Sequence, residues 1–239
     1  MKKDRNQTPF PNIQKKPSGP KIMIALPCMQ YVPTKFLRSL ECMRRLPETY
    51  TSVSENSLIH DARNDFASIA IQNDFDRVLW IDSDMVFDAD LLLRLSADMD
   101  DGADMVSALF FKRVPPTAPV IYSELREITD EHGDYIEIIP YLNYPYSSKF
   151  CVEACGFGAV MTSVSLLKRV WDKFGPPFSY YKNLGEDLSF CWRVKQLGIP
   201  IWCDSSIRVG HVGQLVFNEG IYINQTKYQS DTTSDSTKE

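Results

Sequence analysis

No run in this chain is apolar for the ~20 residues that a membrane-crossing helix needs. The opening MKKDRNQTPFPNIQKKPSGPK carries positive charge without an apolar core, so it does not read as a secretory signal. Positive charge is not in excess either. Lys and Arg number 26 against 31 Asp and Glu, a net charge of −5 over 239 residues, which excludes a general basic surface for nucleic acid or anionic membrane. No CxxC pair occurs among the six cysteines (Cys28, Cys42, Cys151, Cys155, Cys191 and Cys203), and the Cys151–Cys155 spacing does not suit structural zinc. Free, mostly buried thiols in a reducing cytoplasm are expected instead. Neither GxGxxG nor GxxxxGKS is present, so no glycine-rich phosphate loop is available, and no internal repeat is visible.

What remains is ordinary material for a soluble fold, with 44% hydrophobic residues, enough for a core in one domain. Residues 1–20 read as a disordered basic arm and 223–239 as a loose polar tail, leaving 21–222 to carry the fold. Within it, KIMIALP (21–27), YTSVSE (50–55), DRVLWI (76–81) and ADMVSALFF (103–111) read as strands. They alternate with helices. The first is PTKFLRSLECMRRL, with Pro33 in its opening turn and Phe36, Leu40 and Met43 on one face. The second is NSLIHDARNDFASIAIQ, with Ser57 as cap and Ile59, Ala62, Phe66, Ile69 and Ala70 as its stripe. The third opens near Asp88, with Leu92, Leu95 and Met99 facing inward. This order predicts an α/β fold with a mostly parallel sheet covered on both faces. After the proline-rich loop 112–119 come extended, aromatic-rich segments over 134–163. Then follow the helices VSLLKRVWDKF and EDLSFCWRVKQLG, with Gly198 closing the latter, and the short strands IPIWCD and SIRVGHVG. This second half (112–222) contains a smaller, mixed β region, beside the 21–111 half.

The chemistry concentrates at VLWIDSDMVF, where an apolar strand stops at Asp82 and Asp84 with no Lys or Arg adjacent. Ligands of open parallel sheets bind at the carboxyl ends of strands. In an extended segment residues i and i+2 share a side, so the two carboxylates converge. At a few ångströms they repel by about 4 kcal/mol at an effective dielectric near 20. A hard divalent cation with oxygen ligands relieves that repulsion. The plain alternative is a pair of turn formers at a strand end. Three further segments bear on the choice. Glu186–Asp187 opens a helix, where acids are favoured by the dipole, and where one of them could serve as a base. His211 lies in VGHVG and could add an imidazole nitrogen to an oxygen-rich site, tilting it from Mg2+ toward Mn2+. His60 and His132 read as solvated. Gly156 and Gly158 flank Phe157 and could let a ligand approach the backbone, or could simply make a tight turn.

LWIDSDMVF, preceded by DARNDFA and followed by ACGFGAVM, GEDLSFCWR and VGHVG, resembles the GT-A glycosyltransferases, and is most similar to small family-2-like enzymes of bacteria and their phages. The likeness runs from Lys21 to Gly213 in the family's order. It implies a GT-A sheet, a nucleotide-sugar donor (usually a UDP-sugar), a divalent metal (Mn2+ or Mg2+) and a glycan, protein or lipid-linked acceptor. By this resemblance Pro27 lines the nucleotide pocket and Arg63 faces the nucleotide or its phosphates. Asp84 holds the metal directly, Asp82 holds the ribose or the metal through water, and His211 reaches the metal. Gly156, Phe157 and Gly158 sit beside the sugar. Asp187 is the base with Glu186 its neighbour, and inversion follows. The family's acidic pair after the second strand is replaced by SENS, leaving Glu55 to contact the base. Two other readings compete. DSDMV also fits a haloacid-dehalogenase-type phosphatase with Asp82 as nucleophile, although that motif normally follows the first strand. A non-catalytic sugar-nucleotide or glycan-binding module is the other. The tyrosines of YLNYPYSS and FSYY could hold an acceptor or only pack.

Overall fold

A computed structural model describes residues 19–131, 133–213 and 216–224. The arm before residue 19, the tail after 224 and His132 lie outside the described residues. In chain order the elements are β1 (Ile22–Cys28), α1 (Thr34–Cys42), β2 (Thr49–Glu55), α2 (Ile59–Gln72), β3 (Arg77–Ile81), β4 (Met85–Val86), α3 (Leu91–Asp100) and β5 (Met105–Leu109). There follow β6 (Ile121–Asp130), β7 (Gly133–Pro140), β8 (Lys149–Val152), β9 (Ala154–Cys155), β10 (Ala159–Ser163), α4 (Val164–Phe174), α5 (Glu186–Gln196), β11 (Ile201–Arg208), β12 (Gly210–Val212) and β13 (Val216–Phe217).

The central sheet has the order β2-β1-β3-β10-β5-β11-β8. β1 runs parallel to β2 and β3, and β11 parallel to β5, while β10 is antiparallel to both its neighbours and β8 is antiparallel to β11. The interior strands β1, β3, β5 and β10 are apolar almost without interruption because both faces are covered. β2, which is half exposed along its length, takes an edge. Alternate residues feed two cores, as the two-residue period of a strand requires. Met23, Ala25, Val78 and Trp80 pack with α2, α4 and α5 on one face. Ile22, Ile24, Leu79 and Ile81 pack with α1 and α3 on the other. The sheet is therefore mostly parallel with helices on both faces, and a small antiparallel sheet, β7-β6-β9, stands apart.

Several local expectations change. β10, from the second half of the chain, is threaded between β3 and β5, so the central sheet draws strands from both halves. Pro33 precedes α1 with an extended backbone instead of occupying its first turn, and the helix stops at Cys42, ahead of Leu46–Pro47, where proline disfavours helix in the residue before it. Ser57 does not cap α2. Its hydroxyl meets Ser54 and the Glu55 carbonyl, and Leu58 holds the N-cap position. Ile69 is 41% exposed, whereas the buried face of α2 contains Arg63 at 2% exposure. IPIWCD and the start of SIRVGHVG form one strand, β11.

A second small sheet, β13-β12-β4, is decisive for the site. β12 pairs antiparallel with β4, setting His211 opposite Met85, and Val212 N–H donates to the Asp84 carbonyl at 2.8 Å. A histidine 127 residues downstream is thereby returned to the turn that follows β3.

Candidate active site

The carboxyl ends of β1 and β3 open into a cavity of about 760 Å³. Pro27, Arg63, Asp82, Asp84, Glu186, Asp187 and His211 all line it. The sequence reading missed Arg113, which reaches the same cavity from the proline-rich loop. It also missed Ser54, Asn56 and Ser57 at the β2 end. Arg113 follows Lys112 directly after the apolar run of 103–111, and a pair of charges in a proline-rich connector carries no periodic signal.

Asp82 and Asp84 do not lie in an extended strand. β3 ends at Ile81, and Met85 N–H donates to the Asp82 carbonyl at 3.2 Å, closing a turn. Nor are the carboxylates without cations. Arg63 Nη2 donates to Asp82 Oδ1 at 2.7 Å, and Arg113 Nη1 donates to Asp84 Oδ2 at 2.5 Å. The neutralising charge absent beside the motif in sequence is delivered by topology, from α2 and from the loop after β5. Asp82 lines the cavity with Oδ1 held by Arg63, while Asp84 carries the contact to His211.

His211 Nε2 stands 3.2 Å from Asp84 Oδ2, and Nδ1 stands 3.0 Å from the Phe111 carbonyl. A carbonyl only accepts, so Nδ1 carries the proton and donates, which leaves Nε2 facing the carboxylate. That contact is favourable only with a proton or a cation on Nε2. Burial pulls the imidazole pKa down, but the Asp84 hydrogen bond and charge and the Phe111 carbonyl outweigh it and lift it above its ordinary value. Burial acts upward on Asp84, yet the His211 hydrogen bond and the charges of His211 and Arg113 hold it below the usual carboxylate range. A carboxylate oxygen and an imidazole nitrogen oriented from behind by a backbone carbonyl form a donor pair suited to a divalent cation of the Mn2+ kind. Among the described residues no set of three His, Cys, Asp or Glu side chains is placed to hold a metal ion, so further ligands would have to come from a bound substrate and water.

Asp187 departs from expectation in sign. A place in the first turn of α5 favours a low pKa, but burial, helped by the charges of Glu186 and Asp82, pushes it up to about 6 against the opposing charge of Arg63. Its Oδ1 accepts from Leu188 N–H at 2.7 Å. Desolvation outweighs the helix dipole here because the carboxyl, although it lines the cavity, is largely enclosed by protein.

Four expected donor contacts are not brought to the cavity. Glu55 ends β2 exposed and is not among the lining residues. Gly156, Phe157 and Gly158 are buried behind the cavity wall. Phe157 packs edge-on against Trp80, Phe178 and Phe190. The glycines serve packing: a Cβ on Gly156 would fall 2.7 Å from Val120 and 2.9 Å from the Phe110 ring, and one on Gly158 would fall 2.6 Å from Met85 and 2.9 Å from Phe110. Gly158→Ala is therefore expected to destabilise the protein by about 1–3 kcal/mol through overpacking, with nucleotide affinity of the folded protein unchanged. Denaturant melts and calorimetry on the same sample check this, and weaker binding at unaltered stability would return the glycines to the ligand.

The tyrosines of these segments do not gather at one place: several pack, while Tyr146 and Tyr180 are exposed. Tyr144 lies against Phe111 and Tyr222, Tyr141 against Phe150, and Tyr181 stacks on Trp192. His60 is not free in solvent; its ring rests on Tyr180 at 4.7 Å. All six cysteines are free. No described helix is long and apolar enough to cross a membrane.

No family model and no curated protein matches the chain. Among solved structures it is similar to A197 from STIV, with a TM-score of 0.58 and 16% identity over 81% of this chain and 86% of that one. It is also similar to GalNAc-T7 solved with UDP, GalNAc and Mn2+, with a TM-score of 0.54 and 12% identity over 82% of this chain and 44% of that one. At such identities the likeness is one of fold, and the fold is that of the GT-A glycosyltransferases.

Proposed function

We propose that this protein is a metal-dependent glycosyltransferase that moves a sugar, a hexose by class, from a UDP-sugar to an acceptor hydroxyl with inversion. One observation carries the reading. The Asp84–His211 pair and the buried Asp187 share one cavity at the carboxyl ends of parallel strands, although they come from three distant parts of the chain. The GT-A fold, and a fold neighbour solved with UDP, GalNAc and Mn2+, support it.

Each residue then has a task. Asp84 and His211 would hold Mn2+ or Mg2+, which as a Lewis acid offsets the charge that grows on the leaving diphosphate. Arg113 carries a further positive charge to the same place on an exposed loop. Asp187 takes the proton of the acceptor hydroxyl while the acceptor oxygen bonds to the anomeric carbon and the bond to the diphosphate breaks on the opposite face. A carboxyl with its pKa near 6 is ionised at neutral pH and is a better base than an ordinary aspartate. At the far end of the cavity Ser54, Asn56 and Ser57 offer uncharged donors and acceptors, and Glu55 is turned away. That lining suits uracil, which presents both donor and acceptor edges, better than guanine, whose two adjacent N–H donors favour a carboxylate.

The phosphatase reading needs Asp82 as a free nucleophile. One of its oxygens is instead held by Arg63, and the fold is not the one that reading requires.

A thermal-shift panel of UDP, GDP, CDP and dTDP, each with Mn2+ and with chelator, tests the donor. UDP with Mn2+ at ~100 times its dissociation constant should add about 2.7 kcal/mol of stability, and chelator should remove most of it. Flat traces for all four nucleotides would sink the donor assignment. Binding without sugar transfer or donor hydrolysis would leave a non-catalytic nucleotide-sugar module.

A further inference from the structure

We propose that Arg63 is a positioning residue, a single buried guanidinium that ties the Asp82 turn to the start of α5 and so sets where Asp187 stands. The proposal rests on the glycosyltransferase reading of the cavity, and it replaces the donor-contact role that the sequence resemblance implies for this arginine.

Arg63 sits among Ala62, Phe66, Ala67 and Ala70 on the buried face of α2, with its side chain 3% exposed. A charge in such a place is costly unless it is paired and hydrogen-bonded. It is paired twice: Nη1 donates to Glu186 Oε1 at 2.6 Å and Nη2 donates to Asp82 Oδ1 at 2.7 Å. The guanidinium lies over the Phe157 ring, 5.2 Å from its centre, and Phe157 is itself held by three aromatic neighbours. Nε is buried without a partner, an unmet donor in an otherwise satisfied side chain. The planar fork thus spans three elements, α2, the turn after β3 and the N-terminus of α5, above a rigid aromatic floor. A point-like ammonium on a flexible stem cannot make both contacts at once.

The charges around Asp187 give the fork a second consequence. Facing it are Arg63 from α2, Asp82 from the turn after β3, Glu186 and Cys191 from α5, and Tyr122 from β6. Burial, first of all, pushes Tyr122 up to about 12 and Cys191 well above its ordinary value, so both are neutral at physiological pH. Arg63 is the cation of this group, set against two other carboxylates. It holds the start of α5 in place and keeps Asp187 ionised in the working range.

The test compares Arg63→Lys, Arg63→Gln, Glu186→Gln and the double variant Arg63→Gln with Glu186→Gln, all in the full chain. It reads the pH profile of kcat, the KM for UDP-sugar and the 13C NMR titration of the Asp187 carboxyl without donor. Arg63→Gln is expected to move the NMR titration and the acidic limb of kcat upward by about one pH unit or more. It should cut kcat at pH 7 about tenfold and leave the donor KM within about threefold. Arg63→Lys should keep the limb near its parental position yet lose kcat, because charge survives and the fork does not. If Arg63→Gln is too unstable to assay, the double variant is read against Glu186→Gln alone, because the loss of Glu186 by itself lowers the Asp187 titration, and the upward shift between those two variants carries the test. A donor KM raised tenfold or more with an unmoved titration would overturn the proposal in favour of direct donor contact. A lowered melting temperature with an unmoved titration would reduce Arg63 to a structural role and also overturn it. The NMR titration needs no turnover, so absence of transfer in the parent would count against the glycosyltransferase reading and not against the clamp.

Discussion

Asp187→Asn is expected to abolish sugar transfer while leaving nucleotide binding intact and making the protein more stable at neutral pH. The substitution keeps the size of the side chain and removes its basicity, so kcat should fall by about 10²- to 10⁴-fold, the range of a lost general base. The parent's rate should rise with pH through about 6 and level off above pH 7, following the ionised fraction of Asp187. The stability effect has a definite sign. Folding raises the pKa of Asp187 from 3.8 to about 6, so the native state favours the protonated acid. Its contribution is fully present below pH 4 and is lost as pH rises through 6, leaving a penalty of about 3 kcal/mol at pH 7. Asparagine carries no such penalty. Its melting temperature should exceed the parent's by roughly 6–12 °C at pH 7.5, with the gap closing toward pH 4. Initial rates with UDP-sugar, calorimetry with UDP and Mn2+, and melts at both pH values check all three parts. Transfer within tenfold of the parent would move the base elsewhere, and a variant less stable at pH 7.5 would show that burial does not dominate this carboxyl.

The pieces of this site are legible in the chain as polar interruptions of apolar runs, and α4 begins and ends where its periodicity places it, at Val164 and Phe174. What joins the pieces is not legible. Arg63, Asp82 and Glu186 span 123 residues, and no local pattern states that α2 will face both the end of β3 and the start of α5. Helical spacing puts position 63 on the same face as Ile59, Phe66 and Ala70, but that an arginine is buried there follows from partners that the helix does not contain. β10 reads like any other buried strand, since period and composition carry no direction. That it runs antiparallel between β3 and β5 is a matter of connection length and sheet closure. The glycines around Phe157 were visible as glycines. Whether their missing side chains make room for a ligand or for Phe110 depends on a ring more than forty residues away in sequence. The pKa of Asp187 reverses for a similar reason: the helix dipole is local and readable, and the desolvation that overrides it is tertiary.

Asp84→Asn should produce the other large loss, a fall in turnover of at least ~10³, because the Lewis-acid contribution of a catalytic cation is several kcal/mol and each ~1.4 kcal/mol is tenfold in rate. The Mn2+-dependent thermal shift with UDP should vanish with it. The geometry allows a sharper comparison. Asp84 Oδ2 is shared by two positive or proton-bearing groups, Arg113 Nη1 at 2.5 Å and His211 Nε2 at 3.2 Å. Arg113 comes from an exposed loop with its side chain 54% exposed, whereas His211 is fixed from behind by the Phe111 carbonyl. Arg113 therefore competes with a cation for the carboxylate, and His211 cooperates with one. Removing Arg113 by alanine should tighten Mn2+ binding in the absence of nucleotide, whereas Asp84→Asn and His211→Ala should each weaken it by tenfold or more. Titration of Mn2+ into the three variants, followed by electron paramagnetic resonance, separates these signs without any need for an acceptor. If Asp84→Asn kept chelator-sensitive transfer, or if Arg113→Ala and Asp84→Asn moved Mn2+ affinity in the same direction, the carboxylate would be a partner of Arg113 alone, and the cation would have to be held by other groups.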